Sequence, residues 1–403
     1  MTESENFFLR SFSHAFSSIH MFIDIAANLT DEMFQGIYHD KKRHDSDLHL
    51  VIERAKNSGC NQMIILAGSL EDAKECMRIC SDFDPSHRAL FTTIGVHPTR
   101  CDTLLTEPNL AKIFHEFIDT YGDRVAAFGE LGLDYDRLHF CSKEIQIRGF
   151  ESQLQAIDIL KQHNIQRPLL LHLRNAFDDF VLIMEKYKHV WENCGGVVHS
   201  FTGTQHEMKV LTDMGLYIGL NGCSLRSDES LSDVVPFIPD EKILLETDAP
   251  YCDVRPTHPG YKYLSPDTIP KNFKPEKFQP GSMVKGRNEP ACISQIAAIV
   301  AKARKTDRDF LINKVHENTL RLFKHLARRY PAHQCIIQYE GRQNIFYRDA
   351  TRSMASTAKW SLRYLRLGAA GHWGPGMYRR WPTRALATVR TGACRVCWGN
   401  KKI

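Results

Sequence analysis

The stretch Val125-Ala126-Ala127-Phe128-Gly129-Glu130-Leu131-Gly132-Leu133-Asp134 opens as an unbroken apolar run and leads into a carboxylate. A half-buried surface strand would alternate apolar and polar residues. A run without alternation marks a parallel strand covered on both faces. Working outward from residues 125–129, seven further short apolar runs fall at residues 22–25, 63–67, 90–95, 169–171, 196–198, 217–220 and 243–245. Amphipathic segments lie between them, among others at residues 47–55, 144–160, 175–187 and 311–326. In the second of these, Ile145, Phe150, Leu154, Ile157 and Leu160 recur at helical spacing. Strands alternating with helices imply an α/β protein with right-handed crossovers. Eight such units in about 300 residues imply a TIM-type (β/α)₈ barrel over residues 21–325. The structural alternative is a doubly wound open sheet. That fold usually carries a Gly-rich phosphate loop after its first strand, where this chain reads Ala26-Ala27-Asn28-Leu29.

Ionisable and polar residues cluster where the runs end. Asp24 lies in the first run, His97 follows the third and Glu130 the fourth. His172, His199, Asn221 and Asp248 follow the fifth, sixth, seventh and eighth. In a barrel enzyme this is the rim that holds the chemistry, and closure brings strands distant in sequence onto it. Imidazoles and carboxylates converging there without partners would destabilise the fold. A divalent cation removes that conflict. Mixed His and carboxylate ligation suits Zn²⁺ or Mn²⁺, and carboxylate-rich shells also admit Mg²⁺. Such an ion lowers the pKa of bound water from ~15.7 toward ~7, and a neighbouring carboxylate can take the proton.

At these motifs the sequence resembles the TatD family of metal-dependent deoxyribonucleases, in the amidohydrolase-like barrel superfamily, and its eukaryotic branch fits best. The matching stretches begin with Ile23-Asp24-Ile25-Ala26-Ala27-Asn28-Leu29-Thr30, Gly95-Val96-His97-Pro98 and Gly129–Asp134. They continue with His172-Leu173-Arg174-Asn175, His199-Ser200-Phe201-Thr202-Gly203, Glu246-Thr247-Asp248-Ala249-Pro250 and Arg287-Asn288-Glu289-Pro290. The resemblance implies a nuclease that hydrolyses DNA phosphodiester bonds, as a 3′-to-5′ exonuclease, in repair or in DNA degradation. It implies two divalent ions held by Glu130, His172, His199 and Asp248. Glu130 would bridge them, and Asp248 would orient or deprotonate the attacking water. Much of the superfamily has a His-x-His pair on the first strand, and here those positions are Ala26 and Asn28. Asp24 is either a compensating metal ligand or a structural carboxylate. His97, Arg174 and Arg287 are candidate substrate contacts. Guanidinium groups grip phosphate in bidentate geometry, although either arginine could equally form a surface ion pair.

Other hydrolases use the same chemistry, so a small-molecule amide or ester hydrolase on the same barrel is the alternative function. A binding protein that keeps the fold is a third reading, supported only by the missing His pair. A Lys- and aromatic-rich segment at residues 251–285 is long enough to be functional and could flank a DNA strand.

The ends of the chain differ from its middle. Residues 331–403 hold thirteen Lys and Arg against two acids, whereas the whole chain carries +5, which leaves −6 on the remainder. Four of the five tryptophans fall in this tail, and no periodicity runs through it. Residues 326–403 therefore read as a disordered basic extension, and residues 1–20 as a disordered leader ahead of Met21. Arg10, His14 and His20 among Phe and Ser leave a mitochondrial presequence open, but Glu3 and Glu5 count against it. No apolar h-region marks a secretory signal, and no run approaches the ~20 apolar residues of a membrane helix. Twelve scattered cysteines in a chain this long read as reduced thiols. Cys394 and Cys397 lack the second pair of a zinc site, and Cys76 and Cys80 read as packing residues on a helix. A nuclear or cytoplasmic protein that takes DNA as its partner, with no membrane and no obligate protein partner, is the resulting expectation.

Overall fold

The computed structural model describes residues 21–327 together with the strands Cys335–Tyr339 and Arg342–Phe346. Eight parallel strands form one sheet, each paired with its sequence neighbours. They are β1 (Phe22–Ala27), β2 (Cys60–Ile65), β3 (Leu90–Ile94), β4 (Val125–Asp134), β5 (Leu169–Arg174), β6 (Gly196–Val198), β7 (Tyr217–Leu220) and β8 (Ile243–Leu245). Helices α1 (Leu48–Asn57), α2 (Leu70–Phe83), α3 (Leu110–Tyr121), α4 (Lys143–Gln162), α5 (Phe177–Lys186) and α6 (Gln205–Asp213) follow the first six strands. A π-helical turn and a 3₁₀ turn, Ser230–Val234 and Val235–Phe237, replace the helix after β7. Helices α7 (Ile293–Ala303) and α8 (Arg308–Leu322) follow β8.

Local chemistry sets several boundaries. Ser69 accepts from the Asp72 N–H and starts α2, and Thr204 and Glu207 form a capping box at α6. Strand alternation then separates two cores. Ile23, Ile25, Ile64, Leu66, Phe91, Leu170, Val197 and Leu244 form one cluster, and the larger cluster joins the remaining strand residues to the helices. Leu322, Phe323 and Leu326 belong to the smaller cluster. Leu326, one residue past the expected boundary at residue 325, is fully buried. Within the stretch expected to lack structure, Cys335–Tyr339 and Arg342–Phe346 pair as an antiparallel hairpin. The leader, the rest of the tail, Cys394 and Cys397 lie outside the described residues.

Closure of the ring explains Asp24. The last strand reaches the first through one parallel bridge, Ala27 to Ala249, with Asn28 N donating to Ala249 O at 2.6 Å and Asp248 N to Ala26 O at 2.8 Å. Beneath that bridge the Asp24 carboxylate accepts from Thr247 N at 3.0 Å, from Thr247 Oγ1 and from Ala26 N at 3.2 Å. Burial pushes this carboxyl up to about 7, against the hydrogen bonds from Thr247 and Ala26. Asp24 is therefore a clamp between the first and last strands. It lines no part of the rim cavity and stands with the structural of its two expected roles.

Arg287 also departs from expectation. Rather than facing a phosphate, it is 1% exposed. Its guanidinium donates to both Asp47 oxygens at 2.6 and 2.7 Å, to Glu289 Oε1 at 2.9 Å and to Met33 O at 3.1 Å. Arg54 completes a buried group of two cations and two anions, reaching Glu289 at 2.7 Å and Asp47 at 3.2 Å. Between them, Asn288 Nδ2 donates to Thr247 O and Tyr251 O at 2.9 and 2.8 Å. The Arg287-Asn288-Glu289 segment thus braces the loop that carries Asp248. Removing one member of a buried charge group costs ~3–5 kcal/mol, because the others stay desolvated. Arg287→Met is expected to lower unfolding free energy by that order in urea titration. The still-folded fraction should keep wild-type DNA affinity at low temperature. Unchanged stability with weakened DNA binding would restore the phosphate-contact role.

Candidate active site

The C-terminal ends of the strands deliver their polar side chains to one cavity of about 720 Å³. Asn28 comes from β1, His97 from the β3 end, Glu130 from β4, His172 and Arg174 from β5, His199 from β6 and Asp248 from β8; all seven line it. Strand register explains the central arrangement. Gly132 pairs with His172 across β4 and β5, with Glu130 and Asp134 two residues to either side. A Cβ on Gly132 would stand 1.9 Å from the His172 carbonyl oxygen, and its φ is +149°. Glycine thus lets the strands close up, and the His172 ring lies between the two carboxylates. Its Nδ1 is 2.6 Å from Glu130 Oε1 and its Nε2 is 3.2 Å from Asp134 Oδ2. His199 Nε2 approaches the same Glu130 oxygen at 2.6 Å.

Charge follows from these contacts. Burial opposes ionisation of Glu130, yet His199, His97 and His172 together hold its carboxyl well below the usual range. Burial likewise opposes charge on His199, but Glu130 and Glu246 hold its pKa well above 6.5. Asp134 and Glu130 overcome burial to raise His172. His97 goes the other way: burial pushes it down to about 3, so its ring is neutral. Because Thr99 N donates to His97 Nδ1 at 3.2 Å, the proton of that ring sits on Nε2. Burial raises Asp248 to about 6, with His199 opposing.

Metal-donor atoms lie within 4.8 Å of one another in two groups: Glu130, His172 and His199, and His97, Asp134 and His172. Three of the four ligands implied by the resemblance are thus gathered. Asp248, the fourth, lines the same cavity and accepts from Asn28 Nδ2 at 2.8 Å. The position that lost a superfamily histidine therefore orients a carboxylate. His97, expected as a substrate contact, also stands in a donor group. Imidazoles and carboxylates in one buried set fit a divalent cation. His199 Nδ1 and Glu246 Oε2, buried behind the set with no hydrogen-bond partner among the described residues, add to that fit. Arg174 faces the cavity as expected, joined by Arg226. The 251–285 segment contributes only Tyr251 and Cys252, and Phe278 stacks on His44 at 4.2 Å instead.

Asp134, Glu246 and Arg226 were not singled out by the sequence reading. Asp134 had a usable signal, since it follows Glu130 by four residues on one strand and so shares its face. Glu246 accepts from Ser200 N at 2.5 Å and Asn221 Nδ2 at 2.9 Å, a fold-dependent pairing that sequence does not reveal.

Residues 23–324 match the family described as TatD related DNase. The chain belongs to the TatD family. It is 40% identical over 322 residues to "Deoxyribonuclease Tat-D" of Schizosaccharomyces pombe, covering 78% of this chain and 99% of that protein. It is 32% identical over 302 residues to "3'-5' ssDNA/RNA exonuclease TatD" of Citrobacter koseri, covering 74% and 98%. The crystal structure of a TatD family hydrolase from Entamoeba histolytica aligns with a TM-score of 0.70 at 37% identity, covering 75% of this chain and 98% of that one. The TatD match coincides with the barrel and stops before the basic tail.

A cation held by His172 and His199 in this TatD protein would compete with protons for their ring nitrogens. Both groups have raised pKa values, so divalent binding must expel protons and tighten as pH rises. Calorimetric titration with Mn²⁺ at pH 7 is expected to give heats that vary with the ionisation enthalpy of the buffer. Heats independent of the buffer would contradict the protonated pair.

Proposed function

We propose that the protein is a divalent-metal-dependent deoxyribonuclease, digesting DNA 3′ to 5′ in repair or DNA degradation, in the nucleus or cytoplasm. One observation carries the reading: Glu130 Oε1 lies 2.6 Å from both His172 and His199 in an Arg-lined cavity. The direction of digestion and the nucleic-acid substrate are supported by the names of the relatives. Among the described residues, no helix is long and apolar enough to cross a membrane.

Glu130, His172, His199 and Asp248 would hold two ions, Mg²⁺, Mn²⁺ or Zn²⁺. Such ions polarise the phosphodiester and make water acidic enough to ionise near neutral pH. Asp248, oriented by Asn28, receives the proton of the attacking water. Nε2–H of His97 donates to a phosphate oxygen. The guanidinium groups of Arg174 and Arg226 line the cavity with no hydrogen bond or ion pair among the described residues, which leaves them to grip flanking phosphates.

The test uses chelator-stripped full-length protein, resupplied with single metals and given end-labelled DNA, with a panel of small amides and esters beside it. Metal-dependent shortening from the 3′ end is expected. Glu130→Ala and Asp248→Ala should each lose at least ~10²-fold, since misplacing reacting groups by an ångström already costs that much. Activity within a few-fold of wild type in either variant would overturn the assignment, as would turnover of the small substrates alone.

A further inference from the structure

Two cysteines meet at the cavity wall. Cys223 lies in the turn after β7 and Cys252 in the loop after β8, and both line the cavity. Their sulfurs are in direct contact, 2.6 Å apart, and both cysteines are free. The backbones are equally close. A Cβ on Gly222 would stand 2.0 Å from the Cys252 carbonyl oxygen, so glycine is what lets the two loops touch. Cys252 Sγ also lies 3.4 Å from Asp248 Oδ2. Cys223 and Cys252, like Cys194, are partly exposed residues, whereas Cys60, Cys76, Cys80, Cys101, Cys141 and Cys292 are buried. Packing alone explains those six but not this pair.

We infer that Cys223 and Cys252 form a reversible dithiol–disulfide switch that takes a hydroperoxide as its oxidant and turns off the adjacent site. The activity half of this inference rests on the proposed nuclease function. One sulfur takes an oxygen from hydrogen peroxide, giving a sulfenic acid and one water as the O–O bond breaks. The second thiol displaces that oxygen as another water, forming the S–S bond. Two thiols and one peroxide thus become one disulfide and two waters. A thiol reductant reverses the change by exchange. Oxidation removes the thiol hydrogen beside Asp248 Oδ2 and ties the Asp248-bearing loop to the turn after β7. That shifts the carboxylate on which the proposed chemistry depends.

The experiment treats the full-length, Mg²⁺-supplied protein with hydrogen peroxide, quenches it, blocks free thiols and maps non-reduced peptides by mass spectrometry. Nuclease activity is read before oxidation, after it and after dithiothreitol. A Cys223–Cys252-linked peptide is expected. At least about a tenfold loss of activity should accompany it, since small displacements of a reacting group cost ~10²-fold, and dithiothreitol should restore the activity. Cys223→Ser, compared with its own untreated form, should keep its activity through the same treatment. The inference is overturned if the linked peptide does not form, if it forms with activity unchanged, or if Cys223→Ser is inactivated as wild type is. Inactivity of the reduced wild-type enzyme on DNA would instead overturn the proposed function. The linked peptide would still decide whether the pair is redox-active.

Discussion

One carboxylate oxygen, Glu130 Oε1, sits 2.6 Å from imidazole nitrogens on two other strands. A buried carboxylate set against two buried imidazoles is costly to assemble, and only tight geometry repays the lost hydration. That requirement reaches through the fold. β4, β5 and β6 must lie side by side in fixed register, with glycine at position 132 so that the His172 ring reaches both carboxylates. The ring must also close, because Asp248 arrives from the far end of the sheet. The Asp24–Thr247 clamp and the Ala27–Ala249 bridge bring that end to the first strand, where Asn28 meets Asp248.

Further buried carboxylates lie against the imidazoles of the central group. Asp134 lies against the far nitrogen of His172. Glu246 lies 3.6 Å from His199 Nδ1 and is itself held by Ser200 and Asn221. Outer partners of this kind fix ring orientation and raise ligand basicity. Below the Asp248 loop, Asn288 ties down two backbone carbonyls, and the Arg287–Asp47–Glu289–Arg54 group anchors Asn288 in turn. The guanidinium groups of Arg174 and Arg226 on the cavity wall, by contrast, form no such bonds among the described residues. Rigid donors and unpaired arginines in one cavity suit chemistry on an anionic polymer.

The barrel was legible because parallel strands covered on both faces leave continuous apolar runs, and all eight runs coincide with strands. The polar residue closing each run was legible for the same reason, as with His172, His199 and Asp248. Partnership across the fold was not. Arg287 follows a Lys-rich segment and reads as a surface cation, yet its carboxylate partner Asp47 stands 240 positions away. Asp24 reads like a rim carboxylate until the ring closes on Thr247, 223 positions on. Cys223 and Cys252 have no spacing signal, because only adjacent strand ends bring them together. The unit after β7 lacks an α-helix, and the short turns there leave no long amphipathic period to read. Leu326 packs with Leu322 and Phe323 although the tail composition begins nearby.

The central claim is that this rim is a divalent-metal centre built on Glu130. Anomalous diffraction from crystals soaked in Mn²⁺ tests it most directly. Anomalous peaks are expected at ligand distance, ~2.0–2.2 Å, from the Glu130 carboxylate and from at least one of His172 and His199. Manganese bound only elsewhere on the protein, at a concentration that supports DNA hydrolysis, would contradict it.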